Sequence, residues 1–313
     1  LTGRRETLDK FEHFETCPVC SCSSLVPFKS RTFDPSRLSR NHIKITDSDY
    51  GKIWDLSRCE NCTHVFANPC PSPEFIQSLY GEVEDPVYQE EARGRSQNFS
   101  RILKYVNKIH PDRGMLFDVG AATGILLDIA RGHGWQVEGI EPSSWSVRVA
   151  KDRYNLEVRE GVFEEVSLPE EHYNVVTMVD FVEHIPHPFD ALSTAQKILL
   201  PGGVLCLVTP DMNSIAARIF GKRWWHYRPG HLGYFSKQSL NFLLQRTGFK
   251  IMKSRKYSWT FSLYYLASRK PVFHFMLKNP GFASLLKKIP IKLALQDSFE
   301  IYATKLKSNE SIS

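Results

Sequence analysis

Two groups of residues in this chain have the types and spacing to do chemistry. The first is a pair of cysteine doublets, Cys17-Pro-Val-Cys20 and Cys59-Glu-Asn-Cys62. A two-residue gap lets a tight knuckle turn both thiolates toward one ion, and two knuckles complete a tetrahedral four-cysteine zinc site. All-thiolate sites are closed, so the expected role of Zn2+ is to stabilise a short polar segment with little core of its own. Cys22 and His64 are spare ligands by type, and Cys70, set among prolines, reads as a loop residue. The second group is Leu116–Gly124, reading Leu-Phe-Asp-Val-Gly-Ala-Ala-Thr-Gly. An apolar run enters it from Met115, small residues follow Asp118, and Ile125, Leu126, Leu127, Ile129 and Ala130 continue at helical spacing. That order of strand, Gly-rich turn and helix is the layout of a nucleotide-type cofactor site at the carboxyl end of a parallel strand. A dinucleotide would require Gly-x-Gly-x-x-Gly for its pyrophosphate. Counted from Gly120, the second and third glycine positions hold Ala122 and Ile125, a poor match.

The elements that must position these residues repeat in a regular way. Residues 1–72 are rich in Cys, Pro, Ser and Arg and form the expected zinc module. Residues 73–113 read as a helical connector: Pro73 opens a short helix through Tyr80, and Phe99, Ile102, Leu103, Val106 and Ile109 make an amphipathic stripe. From 114 to 313 strands and helices alternate. The expected strands are Met115–Val119, Trp135–Ile140, Leu156–Arg159, Tyr173–Val179 and Val204–Val208, with Ile251–Tyr257 and Phe299–Thr304 as the last two. Ser143 or Ser144 and Ser236 are candidate helix caps, and Pro201-Gly202-Gly203 is a turn. This repetition implies an α/β fold with a doubly wound, mostly parallel sheet. Residues 259–296, aromatic and basic, stand as an insertion before the last strand.

Bulk properties narrow the setting. The chain has 313 residues and a net charge of +6, enough for a core domain plus a smaller one. The apolar region Trp259–Leu277 is interrupted by Ser268, Arg269, Lys270 and Pro271, so no run has the length of a transmembrane helix. Leu1–Lys10 is charged and shows no secretory signal, and the chain does not begin with Met. Locally paired cysteines favour a metal in a reducing compartment, hence a cytoplasmic location. The basic excess is either a solvated surface or an attraction to an anionic substrate, a nucleic acid or a membrane face, by peripheral contact.

The central turn resembles the motif of class I S-adenosylmethionine-dependent methyltransferases, an acidic residue followed by alternating glycines. Here these positions are Asp118, Gly120, Ala122 and Gly124, with Ala122 in place of the middle glycine. A positive φ at Ala122 would be disfavoured. The resemblance continues in Val179-Asp180-Phe181-Val182-Glu183-His184-Ile185, in Pro201-Gly202-Gly203, and in Trp224-Trp225 with His231-Leu232-Gly233-Tyr234-Phe235-Ser236. The last of these is similar to a subgroup that carries an N-terminal four-cysteine zinc module. The resemblance implies a Rossmann-like seven-stranded sheet and S-adenosyl-L-methionine as cofactor. It places Asp118 near the cationic end of the donor, Glu141 on the ribose hydroxyls, Val162 and Phe163 at the adenine with Glu164 as a substitute polar contact, and Asp180 beside the donor.

In-line methyl transfer needs alignment, exclusion of water and, for a hydroxyl or amine, a base. His184 is the first candidate, with Glu183 orienting it or acting as base, and His231 is the second. Trp224, Trp225, Tyr227 and Tyr234 are candidates to shape an acceptor pocket. The expected reaction is O-methylation of a small molecule of sugar or glycan type, for example a nucleotide-sugar, with C- or N-methylation of a small molecule left open. The rivals are a nucleic-acid methyltransferase or binder and a catalytically silent scaffold. The nucleic-acid reading lacks a dense basic stripe with interleaved aromatics.

Overall fold

The computed structural model describes residues 10–46, 50–81, 83–269 and 271–306. The expectation for the charged first residues therefore lies, apart from Lys10, outside the described part. In chain order the strands and helices are β1 (Phe11–Glu12), β2 (Leu25–Lys29), β3 (Leu56–Cys59), β4 (Val65–Ala67), β5 (Cys70–Pro71), α1 (Pro73–Tyr80), α2 (Pro86–Glu90), α3 (Ala92–Ile109), β6 (Met115–Val119), α4 (Ile125–Gly132), β7 (Gln136–Glu141), α5 (Ser144–Tyr154), β8 (Arg159–Glu160), β9 (Tyr173–Val179), α6 (Pro188–Ile198), β10 (Leu199–Pro210), α7 (Ile215–Phe220), β11 (Gly233–Tyr234), α8 (Lys237–Arg246), β12 (Phe249–Lys256), β13 (Trp259–Ser262), α9 (Leu263–Ser268), α10 (His274–Leu277), α11 (Pro280–Lys287), β14 (Pro290–Leu293) and β15 (Ser298–Lys305).

Seven strands form the main sheet in the order β12-β15-β10-β9-β6-β7-β8. The five from β8 to β10 run parallel, and β15 is antiparallel to both β10 and β12. The chain steps outward from β6 to β7 and β8, then returns to β9 on the other side of β6. A crevice opens at the carboxyl ends of strands where the order reverses in this way. Strand residues alternate between two cores. Phe117, Val176 and Leu205 pack with α6 and α8 through Leu192, Ala195, Leu240 and Leu244. Leu116, Val175 and Cys206 pack with α3 and α4 through Ile102, Leu103, Leu126 and Ala130. Each such aliphatic side chain contributes about 1.5–3 kcal/mol when fully buried, so the period-two pattern fixes the register of every central strand.

Three elements depart from the sequence expectation. The third strand is only Arg159–Glu160: Asn155 turns left-handed at φ 51° and the Leu156 N–H closes the end of α5 on the Ala150 carbonyl, which keeps Leu156 out of the sheet. Pro201-Gly202-Gly203 does not separate two elements, because β10 runs through it with a register shift between Leu199 and Val204. The N-terminal sheet is not built from residues 1–72 alone. Its order is β11-β4-β3-β2, so Gly233 and Tyr234 of the later chain pair with Phe66 and Val65.

Between β12 and β15, the hairpin β13–β14 encloses three short helices. Asn98 of α3 ties it down, its side-chain carbonyl accepting from the Thr260 N–H (2.9 Å) and its amide donating to the Thr260 carbonyl (3.2 Å). No described helix is long and apolar enough to cross a membrane.

Candidate active site

A cavity of about 470 Å³ lies at the carboxyl ends of β6 and β7. Its wall includes Gly120, Ala122, Glu141, Val162, Phe163, Glu164, Asp180 and His184. These eight residues come from four separate segments of the chain. A wider depression of about 550 Å³, around Asp211, Lys237 and Gln245, is open to solvent and includes none of the Gly-rich turn.

The turn after β6 is held by the next strand. The amides of Gly120 and Ala121 both donate to the Ile140 carbonyl (3.0 Å each). Gly120, Ala122 and Gly124 all have positive φ, at 71°, 46° and 80°. The left-handed conformation disfavoured for Ala122 is thus the one it adopts. Its N–H donates to Glu141 Oε2 (2.9 Å). The Ser143 N–H donates to Glu141 Oε1 at 2.9 Å. Each carboxylate oxygen retains acceptor capacity after one such bond. Burial pushes the Glu141 carboxyl up to about 7 against these two amides.

Asp118 and Gly124 do not line the cavity. Asp118 is turned into the sheet, its Oδ1 accepting from Thr177 Oγ1 at 2.5 Å, and burial pushes it up to about 7. Gly124 is the residue before α4, where a Cβ would come within 2.8 Å of Leu156 Cδ1. Both shape the turn from behind. Asp180 has φ 52°, and burial raises it to about 7 while Arg95 and Arg228 oppose the rise.

His184 lines the cavity, whereas Glu183 and His231 are buried outside its wall. One ligand-type atom from each of the three lies within 4.8 Å of the others, a His/His/carboxylate donor set of the kind that suits a divalent cation. The His184 and His231 rings meet edge to face at 4.7 Å. His184 Nδ1 and the Tyr80 hydroxyl are 2.8 Å apart. Burial lowers His184 to about 3 and drives His231 well down, so both imidazoles are neutral at physiological pH. Glu183 Oε2 accepts from Thr209 Oγ1 (2.9 Å), while Oε1 and His231 Nδ1 are buried without a partner among the described residues. Burial raises the Glu183 carboxyl well above its ordinary range, and the Asp180 charge adds to the rise.

The aromatic loop does not behave as expected. Trp224, Tyr227 and Tyr234 are buried with Ile53, Trp54 and Val65 in the core of the N-terminal sheet and do not reach the cavity. Trp225 packs beside them and donates from Nε1 to Asp297 Oδ2 (2.8 Å). They fill space because β11 joins that sheet. The cavity is covered instead by residues the sequence reading passed over: Ile43 and Ile45, then Ile76 and Tyr80 on α1, Val83, Tyr88 on α2, and Trp145. On α1, Ile76 and Tyr80 fall at i, i+4, and Phe75 and Leu79 repeat the same spacing beside them.

The two cysteine doublets converge. Cys17 Sγ lies 3.6 Å from Cys62 Sγ, Cys20 Sγ lies 3.5 Å from Cys59 Sγ, and all four sulfurs are within 4.8 Å of one another. Tetrahedral zinc with 2.3 Å bonds holds its sulfurs about 3.8 Å apart. Each doublet ends in a left-handed residue, Ser21 (φ 59°) after the first and Thr63 (φ 65°) after the second. Cys22 and His64 are outside the cluster. Cys70 is buried in β5, paired with β1, and is not a loop residue.

A Rossmann-like sheet with a Gly-rich turn and a buried carboxylate at the next strand end defines a nucleotide-cofactor enzyme class, and comparison with known proteins specifies it. Residues 88–254, more than half of the chain, match the sequence model of a family described as a methyltransferase domain, and the chain belongs to that family, which places it among the S-adenosylmethionine-dependent methyltransferases. A ubiquinone biosynthesis O-methyltransferase of Burkholderia vietnamiensis is 34% identical over 103 residues, covering 31% of this chain and 44% of that protein. One from Cereibacter sphaeroides is 26% identical over 165 residues, covering 47% and 67%. The chain thus spans less than half the length of the first of these relatives. In fold it is similar to a SAM-dependent methyltransferase from Archaeoglobus fulgidus, at a TM-score of 0.50 and 18% identity, covering 70% of this chain and 100% of that one.

Proposed function

We propose that this chain methylates a hydroxyl group of a small molecule, with S-adenosyl-L-methionine bound along the Gly120–Gly124 turn. The observation that carries the reading is the Glu141 carboxylate, held by two backbone amides at the end of β7 in a cavity that also reaches His184. When bound, the donor supplies an electrophilic methyl group on a sulfonium. Glu141 accepts from the two ribose hydroxyls, Phe163 and Val162 offer the adenine an apolar surface, and Asp180 faces the cationic portion. Asp118 acts from behind the turn, fixing it through Thr177.

His184 takes the proton of the acceptor hydroxyl. It is neutral and exposed to the cavity, and the Tyr80 hydroxyl fixes its ring. Glu183 and His231, each within 4.8 Å of it through one ligand-type atom, offer neutral acceptors beside that imidazole. The apolar cover of Ile43, Ile45, Ile76 and Trp145 excludes water and favours an acceptor with an aromatic or alkyl body. The lining and the relatives lend no support to the sugar- or glycan-type acceptor expected from the sequence. The relatives named as ubiquinone biosynthesis O-methyltransferases support oxygen over nitrogen or carbon as the methylated atom.

We assign Cys17, Cys20, Cys59 and Cys62 one structural Zn2+. Burial and sulfur contacts split the thiols, with Cys17 lowered to about 6 by the Cys62 contact and Cys59 raised to about 11 by burial. A cation removes that conflict by favouring all four thiolates. Donor binding measured by calorimetry tests the cofactor assignment, and mass spectrometry of the methylated product tests the acceptor class.

A further inference from the structure

The segment between β12 and β15 carries no aspartate or glutamate from Trp259 to Gln296, against five lysines and one arginine. That excess equals the net charge of the whole chain, +6. The same segment holds its apolar side chains in solvent. Val272 is 77% exposed and Phe275 83%, with Phe273, Met276 and Leu285 also exposed. Single exposed apolar residues are ordinary, but four within five consecutive positions are not. Lys278 lies two positions after Met276, and Lys278, Lys288 and Lys292 are exposed and pair with no acidic group among the described residues.

The rest of the segment is braced. Lys287 pairs with Glu90 at 2.8 Å. Arg269 donates to the Thr46 carbonyl and the Tyr265 hydroxyl. The Ser262 N–H and hydroxyl both donate to the Glu91 carboxylate, at 2.9 and 2.5 Å. A tied base therefore presents a surface that is at once apolar and cationic.

We propose that this surface docks on an anionic lipid bilayer, with Val272, Phe273, Phe275 and Met276 entering the headgroup boundary and Lys278, Lys288 and Lys292 on the phosphates. Apolar insertion combined with attraction to anionic headgroups is how interfacial segments bind. A second copy of the chain fits worse, since a self-complementary contact would set lysines against lysines with no carboxylate between them. A single-stranded nucleic acid fits worse, since of the exposed apolar side chains Phe273 and Phe275 offer a ring for stacking while Val272, Met276 and Leu285 do not.

The test is co-sedimentation of the full chain with vesicles of phosphatidylcholine, with and without phosphatidylglycerol. The chain should sediment with the vesicles containing phosphatidylglycerol, remain free with phosphatidylcholine alone, and be released by salt. The variant Lys278→Ala/Lys288→Ala/Lys292→Ala should bind roughly a hundredfold more weakly, at about fivefold per lysine. Phe275→Ser should weaken binding at least about tenfold. Unchanged circular dichroism and donor affinity in these variants establish that they are folded. Failure to bind either vesicle, equal binding to both, or full binding by the triple-lysine variant would overturn the proposal. So would a dimer, or an RNA complex, that Phe275→Ser abolishes in a chain that ignores lipid.

Discussion

Replacing Glu141 by Gln probes the donor site with little change of shape. In the protein, Oε2 accepts from the Ala122 N–H and Oε1 from the Ser143 N–H, both at 2.9 Å. A glutamine has one acceptor oxygen and one NH2, so one of those amides loses its partner. That cost, about 1–3 kcal/mol for an unsatisfied buried group, falls on stability and should appear as a lower Tm. The affinity loss is separate. A hydrogen bond to a charged acceptor contributes about 1.5–3 kcal/mol, so losing the carboxylate facing the ribose should raise the donor Kd about 10- to 150-fold. Protonation adds a second signature. The carboxyl of the free cavity is pushed up to about 7 by burial, and hydroxyl donors favour its charged form. Wild-type affinity should therefore rise as pH rises through about 7, and Glu141→Gln should lose that part of the slope. Titration calorimetry at several pH values measures both effects. A variant with an unchanged Kd and an unchanged slope would show that Glu141 does not hold the ribose.

Three further outcomes follow from the same geometry. His184→Gln should lower kcat by about 10²–10⁴ with donor Kd unchanged, and Tyr80→Phe should give a smaller loss through the freed ring; a His184 variant with wild-type turnover would place the base elsewhere. Metal analysis of purified protein should find about one zinc per chain, with Cys59→Ser or chelation lowering Tm; a folded, metal-free chain would contradict the four-thiolate site. Asp118, Glu141 and Asp180 are each raised by burial to about 7 from ordinary values of 3.8, 4.5 and 3.8. Raised carboxyls favour folding in their neutral form, so their contribution is full below the ordinary values and is lost as pH rises through about 7. Because His184 and His231, lowered by burial, act in the opposite sense over the same interval, the test is the difference in Tm between the donor-free wild type and Asp118→Asn, which should shift against the wild type as pH rises through about 7; a difference independent of pH would contradict the burial of Asp118.

The parts of this structure legible in the sequence are those whose signal is local. Phe117 and Leu116, or Leu205 and Cys206, alternate because both faces of each strand are covered, and the turn after Asp118 announces itself by small residues. The cysteine doublets are legible because a thiolate knuckle needs a fixed two-residue gap. Glu141 was readable because a strand end is a place as well as a residue. Other features depend on partners far along the chain. Nothing near Trp224 or Tyr234 indicates that β11 will join the N-terminal sheet and bury them. Ile43, Ile45 and Tyr88 cover the cavity from short elements without periodicity. Leu156 looked like strand but closes a helix, because a left-handed Asn155 redirects the backbone. Asp118 was read as a donor contact on position alone, and only the Thr177 partner shows that it faces the sheet.

In the proposed reaction a methyl group passes from S-adenosyl-L-methionine, held against Glu141, to a small-molecule hydroxyl beside His184. Its most direct test is incubation of the protein with methyl-labelled donor and separate pools of small hydroxyl compounds, glycans and RNA, followed by mass spectrometry of the labelled product. An O-methyl ether on a small molecule with an apolar body should form with the wild type and be lost in His184→Gln. Label confined to RNA, or donor bound with label transferred to none of the pools, would contradict it.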